Sequence, residues 1–264
     1  MTSKTEPTTA EAATEAEKPT NGGVETPSEP DFGPNVHLSR HPVLSHKISI
    51  LRSSSTSPAS FRSVLREITF HLGYEATSSL STKPVPLSVP VGHDHIECTG
   101  QKIADRVALI PILRSGLGMV DSMLELLPDA GVHHIGMYRR DMMPVQYYNR
   151  LPRKCECDVA YVLDPVVASG STVMSVCSQL KKWGVPKIYV LSVIASRSGL
   201  AKLIKTHPDI VVSVGTVDDK LNDDGMCIPG LGDAGDRLFG TPMIDDEEEL
   251  LHPSKRKRTM SDVA

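Results

Sequence analysis

Val159-Ala160-Tyr161-Val162-Leu163-Asp164-Pro165-Val166-Val167-Ala168-Ser169-Gly170-Ser171-Thr172 is the stretch on which the reading of the chain turns. Its first five residues are all apolar, which suits a strand covered on both faces. A loop of small and hydroxyl residues follows. Val173, Val176, Cys177, Leu180 and Trp183 then recur at helical spacing, so a strand is predicted to pass through a short loop into an amphipathic helix.

The same alternation extends on both sides. Arg106 to Ile112, Val132 to Tyr138, Ile188 to Ala195 and Ile210 to Val214 are further strand-like runs. Between them, Met119, Val120, Met123, Leu124 and Leu127 mark one helical face, and Gly199 to Lys205 makes another short helix. Strands alternating with helices imply an α/β fold with right-handed crossovers and a mostly parallel sheet flanked by helices. Ligands of such sheets bind beyond the carboxyl ends of the strands. Chemistry is therefore sought in the loops after Ile112, Tyr138 and Leu163. Nearer the start, Ser57-Pro58 reads as a cap and first turn for a helix with Phe61, Val64, Leu65, Ile68 and Leu72 on its buried face. The proline-rich, alternating stretch Pro84 to Gly100 suits a hairpin.

At both ends the composition changes. Residues 1–36 are rich in Thr, Glu, Pro and Ala, and ordering them would cost entropy that no buried surface offsets. Residues 243–264 carry the acidic run Asp245 to Glu249 and the basic tetrad Lys255-Arg256-Lys257-Arg258, which reads either as a solvated tail or as a nuclear-import signal. Both tails are expected to be disordered, leaving one enzyme-sized domain over 37–242. An apolar fraction of 39% is adequate for a packed core. No run approaches the ~20 apolar residues of a membrane helix, so a cytoplasmic protein is expected. The net charge of −4 gives no electrostatic reason to bind nucleic acid, and small molecules are the expected partners. Cys98, Cys155, Cys157, Cys177 and Cys227 are expected to be reduced thiols. His133 and His134 are expected in one strand, pointing to opposite faces, and so unable to act as a ligand pair.

Three features carry chemistry. The loop before the second helix can wrap a phosphate with backbone N–H groups and the helix dipole, and Ser169, Ser171 and Thr172 add donors; Ser and Thr here also suit a plain capped helix start. Asp164, at the strand end beside that cradle, is placed to accept hydrogen bonds from sugar hydroxyls or to hold a hydrated metal. Arg114 and Arg139, expected in loops after neighbouring strands, have the guanidinium forks that clamp anions. Gly230, Gly232 and Gly235 match the spacing of a dinucleotide fingerprint. The turn-forming Asn222-Asp223-Asp224-Gly225 before them excludes that reading and favours a loop whose backbone approaches a flat ligand.

The decad Leu163 to Thr172 resembles the phosphoribosyl-diphosphate motif of the type I phosphoribosyltransferases. The likeness is widest to the uracil-specific branch, over residues 40 to 241. It includes Tyr74 to Thr77, Pro111 to Met119, Gly136 to Arg139, Pro144 to Pro152 and Ile228 to Asp236. The resemblance implies a type I phosphoribosyltransferase-like fold with a small hood over the base. It assigns phosphoribosyl diphosphate to Arg114, Arg139, Asp164, Pro165, Val166, Val167, Ala168, Ser169, Gly170, Ser171, Thr172 and Asp233. It assigns uracil to Cys227, Gly232, Asp233 and Ala234. Catalytic parts fall to Asp164, Arg139 and Asp233, the last also meeting Mg²⁺ through water. A pyrimidine-salvage transferase, a homo-oligomer and GTP as effector come with the family. The match of the Gly230 to Asp236 segment disfavours a purine-specific relative. Two departures stand out: Ser171 replaces a usual glycine, and the segment from Arg139 to Pro144 is short. They leave open an alternative, a catalytically weak sensor or scaffold that binds uracil nucleotides.

Overall fold

The computed structural model describes residues 32–140 and 143–241. The chain runs β1 (Val36–Leu38), α1 (Pro42–Arg52), α2 (Pro58–Ala76), β2 (Thr82–Val91), β3 (Asp94–Ile103), β4 (Val107–Leu113), α3 (Leu117–Leu126), β5 (Gly131–Val132), β6 (Ile135–Arg140) and β7 (Met143–Asn149). It continues β8 (Val159–Leu163), β9 (Val166–Val167), α4 (Ser171–Trp183), β10 (Lys187–Ser196), α5 (Arg197–Thr206), β11 (Val211–Asp218), β12 (Lys220–Leu221), β13 (Cys227–Ile228) and α6 (Ala234–Phe239). The main sheet has the order β1-β11-β10-β8-β4-β6-β7, with β5 beside β4 and β9 beside β10. All its pairings are parallel except β6 with β7.

Strand β8 lies at the centre because all five of its residues are apolar and buried. Its side chains alternate between two cores. Val159, Tyr161 and Leu163 face α1, α2 and α3, where Leu44, Phe61, Leu65 and Met123 close the layer. Ala160 and Val162 face α4 and α5, against Val173, Val176, Leu180 and Leu203. Full burial of each such large side chain stabilises the fold by about 1.5–3 kcal/mol. Helix α2 starts as its sequence predicts: Ser57 Oγ accepts from Ser60 N, Pro58 takes the first turn, and Phe61, Val64, Leu65, Ile68 and Leu72 are buried.

Several expectations need correcting. Val132 to Tyr138 is two strands. His133 N donates to Leu109 O at 2.9 Å in the break between β5 and β6, so His133 and His134 are not strand residues. His133 instead packs its ring on Trp183 with centroids 5.5 Å apart, and burial, followed by the charge of His134, lowers its pKa. Arg139 lies within β6, since antiparallel pairing with Pro144 extends that strand past Tyr138. At the amino-terminal side, Val36 opens β1 and Phe32 packs against the second core, so packing begins ahead of His37. The five cysteines are free thiols. The tails, including Lys255 to Arg258, lie outside the described residues save for this first segment. Among the described residues no helix is long and apolar enough to cross a membrane.

Candidate active site

The site is built at the carboxyl edge of the sheet, where β8 ends. Asp164 N donates to Leu191 O at 3.2 Å, and Pro165 O accepts from Val193 N and Ile194 N at 3.0 and 3.1 Å. These bonds keep the loop tethered to β10 after β8 has stopped. Gly170 then turns the chain at φ 79°, a left-handed conformation that glycine adopts without steric cost. Helix α4 begins at the next residue, with glycine at its cap and no side-chain cap hydrogen bond. A helix start of this kind presents first-turn N–H groups and the positive dipole end to an anion. Ser169 Oγ accepts from Ser171 N at 3.4 Å and lies 2.9 Å from Ser171 Oγ, so the hydroxyls line the same mouth.

The loop is backed by α5. Ser196 caps that helix by accepting from Gly199 N at 2.9 Å and donates to Ala168 O at 2.6 Å. A Cβ at Gly199 would lie 2.0 Å from Ala168 O, which shows how closely the two segments approach. Pro165, Val167, Ala168 and Gly170 are buried, while Ser169, Ser171 and Thr172 remain half-exposed. The apolar members of the loop therefore fix its shape, and the hydroxyl members stay open to solvent.

Ser171 needs no left-handed backbone, because Gly170 supplies it and Ser171 is the first helical residue. The replacement of a family glycine is thus sterically harmless. Ser171→Gly is expected to leave turnover within about threefold of wild type, the loss of one hydroxyl donor being worth on the order of 0.5–1 kcal/mol. Initial-rate measurements at limiting phosphoribosyl diphosphate check this, and a loss beyond tenfold would make the hydroxyl essential.

Asp164 is buried, and Ser115 Oγ donates to its Oδ1 at 3.2 Å. Burial pushes its pKa up to about 7, aided by the charge of Asp233; the Ser115 bond, the charge of Arg139 and the Val166 N–H oppose the rise. Burial also pushes the Cys227 thiol up to about 11, with Asp218 adding to the rise and Arg139 and Arg52 opposing it. Arg139 thus acts electrostatically on both the phosphate side and the glycine-rich side of the site.

That glycine-rich side forms a cover from β12 and β13 through α6. Cys227 and Ala234 are buried within it, and Gly232 and Asp233 are exposed. Asp233 caps α6, its Oδ1 accepting from Asp236 N at 2.8 Å. Arg114 is ion-paired: its Nη2 donates to Asp236 Oδ1 at 2.8 Å and its Nη1 to Thr241 Oγ1 at 3.3 Å. The charges of Arg139 and Asp233 thus act on Asp164 and that of Arg139 on Cys227, while Arg114 is fastened to the segment that carries Asp236. Ser115 and Asp236 were quoted in the sequence motifs without roles; their contacts supply them. A separate cavity of about 650 Å³, lined by Arg106, Asp129, His133 and Trp183 among others, opens at the amino-terminal end of the strands and contains none of these groups.

The parallel sheet, the phosphate cradle at its carboxyl edge and the glycine-rich cover together define a type I phosphoribosyltransferase fold. The chain belongs to the uracil phosphoribosyltransferase family, whose model matches residues 38–241. It is 45% identical over 208 residues to a uracil phosphoribosyltransferase of Roseiflexus sp. (strain RS-1), covering 78% of this chain and 98% of that protein. It is 42% identical to one of Agathobacter rectalis, covering 76% and 96% respectively. Among solved structures, the AQ2163 protein of Aquifex aeolicus is similar with a TM-score of 0.73 and 30% identity, over 79% of this chain and all of that one.

Proposed function

We propose that this chain is a uracil phosphoribosyltransferase, converting uracil and 5-phosphoribosyl 1-diphosphate to uridine 5′-monophosphate and diphosphate. The observation that carries the reading is the start of α4, which has no side-chain cap hydrogen bond and lies beyond the carboxyl end of β8, in a chain that the family matches almost from β1 to α6.

The 5′-phosphate sits on the first-turn amides of α4 with Ser169, Ser171 and Thr172 as further donors, in a cradle shaped by Pro165, Val166, Val167, Ala168 and Gly170. Asp164 accepts the ribose hydroxyls. Arg139 faces the diphosphate, and Arg114 couples that group to the hood through Asp236. Uracil lies under Cys227, Gly232, Asp233 and Ala234. The N1 nitrogen of uracil forms its bond to the anomeric carbon as the bond from that carbon to the diphosphate oxygen breaks, through an oxocarbenium-like state, and the proton on that nitrogen leaves to solvent. The chain contributes position and charge, and no covalent nucleophile is needed. Among the described residues no group of three or more His, Cys, Asp or Glu could hold a metal. Asp233 is the residue that would meet Mg²⁺, through water. Bound there, the ion would supply charge neutralisation to the departing diphosphate.

The decisive experiment incubates the purified chain with labelled uracil, phosphoribosyl diphosphate and Mg²⁺, with and without GTP, and looks for uridine monophosphate. GTP enters on the family likeness alone, and a cytoplasmic location on the sequence alone; rates unaffected by GTP would remove it as an effector. Nothing found supports the sensor reading: Ser171 fits its place, and the second departure, the short Arg139 to Pro144 segment, lies partly outside the described residues. Asp233→Asn separates the carboxylate's two parts. Asparagine still caps α6, so the melting temperature should hold within a degree or two, while kcat should fall on the order of 10²-fold through loss of the charge. Equal losses of stability and turnover would reduce Asp233 to a helix cap.

A homo-oligomer is also proposed. Strands β2 and β3 form a separate two-stranded sheet with Leu87, Val89, Val91 and Ile96 exposed. A lone hairpin is marginal in water, and a second copy covering these rows would stabilise it. Sedimentation showing only a 28.6 kDa monomer would overturn this.

A further inference from the structure

Two arginines and an aspartate bind the hood to the start of the chain, yet the reaction described above uses none of them. Arg52 is the last residue of α1, and Asp218 is the last of β11. Arg52 Nη2 donates to Asp218 Oδ1 at 2.5 Å and its Nη1 to Asp218 Oδ2 at 3.0 Å, a forked pair whose side chains are 22% and 3% exposed. The same two groups hold one hood residue by both its backbone polar atoms. Gly230 N donates to Asp218 Oδ2 at 2.9 Å, and Gly230 O accepts from Arg52 Nη1 at 2.8 Å. From the other side, Arg237 of α6 donates to Leu231 O at 2.8 Å, to Ser53 O at 2.5 Å and to Leu51 O. Its guanidinium carbon lies 4.6 Å from the centre of the Phe61 ring.

We propose that Arg52, Asp218 and Arg237 are positioning residues for the base, fixing the backbone of the hood in the geometry that recognises uracil. The inference rests on the reading that the base binds under the hood. A surface that reads its ligand through main-chain groups cannot correct a displaced backbone by rotating a side chain. Its accuracy must come from what holds that backbone. Forked guanidinium–carboxylate pairs are directional, and a shift of about 1 Å at a reacting centre can cost on the order of 10²-fold. Consecutive hood carbonyls, those of Gly230 and Leu231, are each held by a different arginine, and both arginines also reach the carboxyl end of α1. The hood is thus referenced to the end of α1 and the end of β11, while the phosphate loop is referenced to β10 and α5. Different side chains hold the two segments.

The test uses the full chain with Asp218→Asn, Arg52→Met and Arg52→Lys. KM for uracil should rise at least tenfold in the first two variants, while KM for phosphoribosyl diphosphate changes less than twofold. Arg52→Lys keeps the charge without the fork and should fall between them and wild type. Hydrogen exchange of residues 227–234 should quicken in Arg52→Met with residues 164–172 unchanged. A role in stability alone predicts fewer active molecules with both KM values intact. A folded variant with uracil KM within twofold of wild type, or with both KM values raised alike, overturns the proposal. Should Asp218→Asn fail to fold, Arg52→Lys decides by the same criteria. If the wild-type chain makes no uridine monophosphate, the functional reading fails on its own, and unchanged exchange in the hood of Arg52→Met would separately remove the clamp.

Discussion

Asp164→Asn is expected to lower kcat/KM for phosphoribosyl diphosphate by on the order of 10²–10³-fold while making the unliganded protein more stable at pH 8. Both effects come from one buried carboxyl. Burial lifts its pKa from the ordinary 3.8 to about 7, with Asp233 adding to the rise against Ser115, Arg139 and the Val166 N–H. The folded chain therefore binds more protons than the unfolded chain between those two values. The contribution of Asp164 to stability falls as pH rises from about 4 to about 7, and above 7 its full cost is present, on the order of 2–4 kcal/mol. Asparagine keeps the shape and removes the titration, so that pH slope should flatten. It also removes the anion that accepts the ribose hydroxyls. Donors arriving with phosphoribosyl diphosphate favour the ionised form, and its affinity should increase with pH up to about 7. Melting temperatures from pH 4 to 9, together with steady-state rates, check both halves. An unchanged slope in the variant would place the titrating group elsewhere.

Gly199→Ala is expected to raise KM for phosphoribosyl diphosphate by on the order of 10–100-fold and to cost about 1–3 kcal/mol of stability, although Gly199 touches no substrate. The added Cβ would stand 2.0 Å from Ala168 O and 3.0 Å from Ser196 Oγ. The obstruction at Ala168 is backbone, so relief requires the phosphate loop or the start of α5 to move by about 1 Å. Ser196 would then lose its hold on Ala168 O. Uracil affinity should change less than threefold, because the hood is held by Arg52 of α1 and Asp218 of β11 and not by Gly199 or Ala168. Measuring the two KM values and the melting curve tests the separation; a uracil effect as large as the sugar-diphosphate effect would show that the two halves are not independent.

How much of this was legible in the sequence follows from where each signal is stored. The β8–loop–α4 unit was plain because its information is local: five apolar residues, a small-residue loop, then helical spacing from Val173 to Leu180. Helix α1 went unread. Leu44, Ile48 and Leu51 are spaced correctly, but the helix is only 11 residues long and its cap is His41, outside the usual Ser, Thr, Asp and Asn. Strand β7 was equally silent, since most of its residues are exposed and no alternation marks it. The substrate-facing residues could be named from family likeness, whereas Arg52 and Asp218 could not. They are 166 residues apart, and nothing local to a helix-ending arginine announces a buried carboxylate at the far end of the sheet. Likewise Asp236 converts Arg114 from a free anion clamp into a tethered one, which no spacing within the Arg114 segment reveals.

The long reach of Arg237 to Leu51, across 186 residues, also sets an order of events during synthesis. Chains leave the ribosome amino-terminus first, at about 5–20 residues per second. Strands β4, β8 and β10, the phosphate loop and α5 all emerge before the hood, and only the last stretch brings Arg237 back to the first helix. The residues of the Asp164 to Thr172 loop therefore leave the ribosome seconds before those of the hood. The contact between Arg237 and the end of α1 is the later of the two to become possible, and the anchoring of the hood waits on the synthesis of α6.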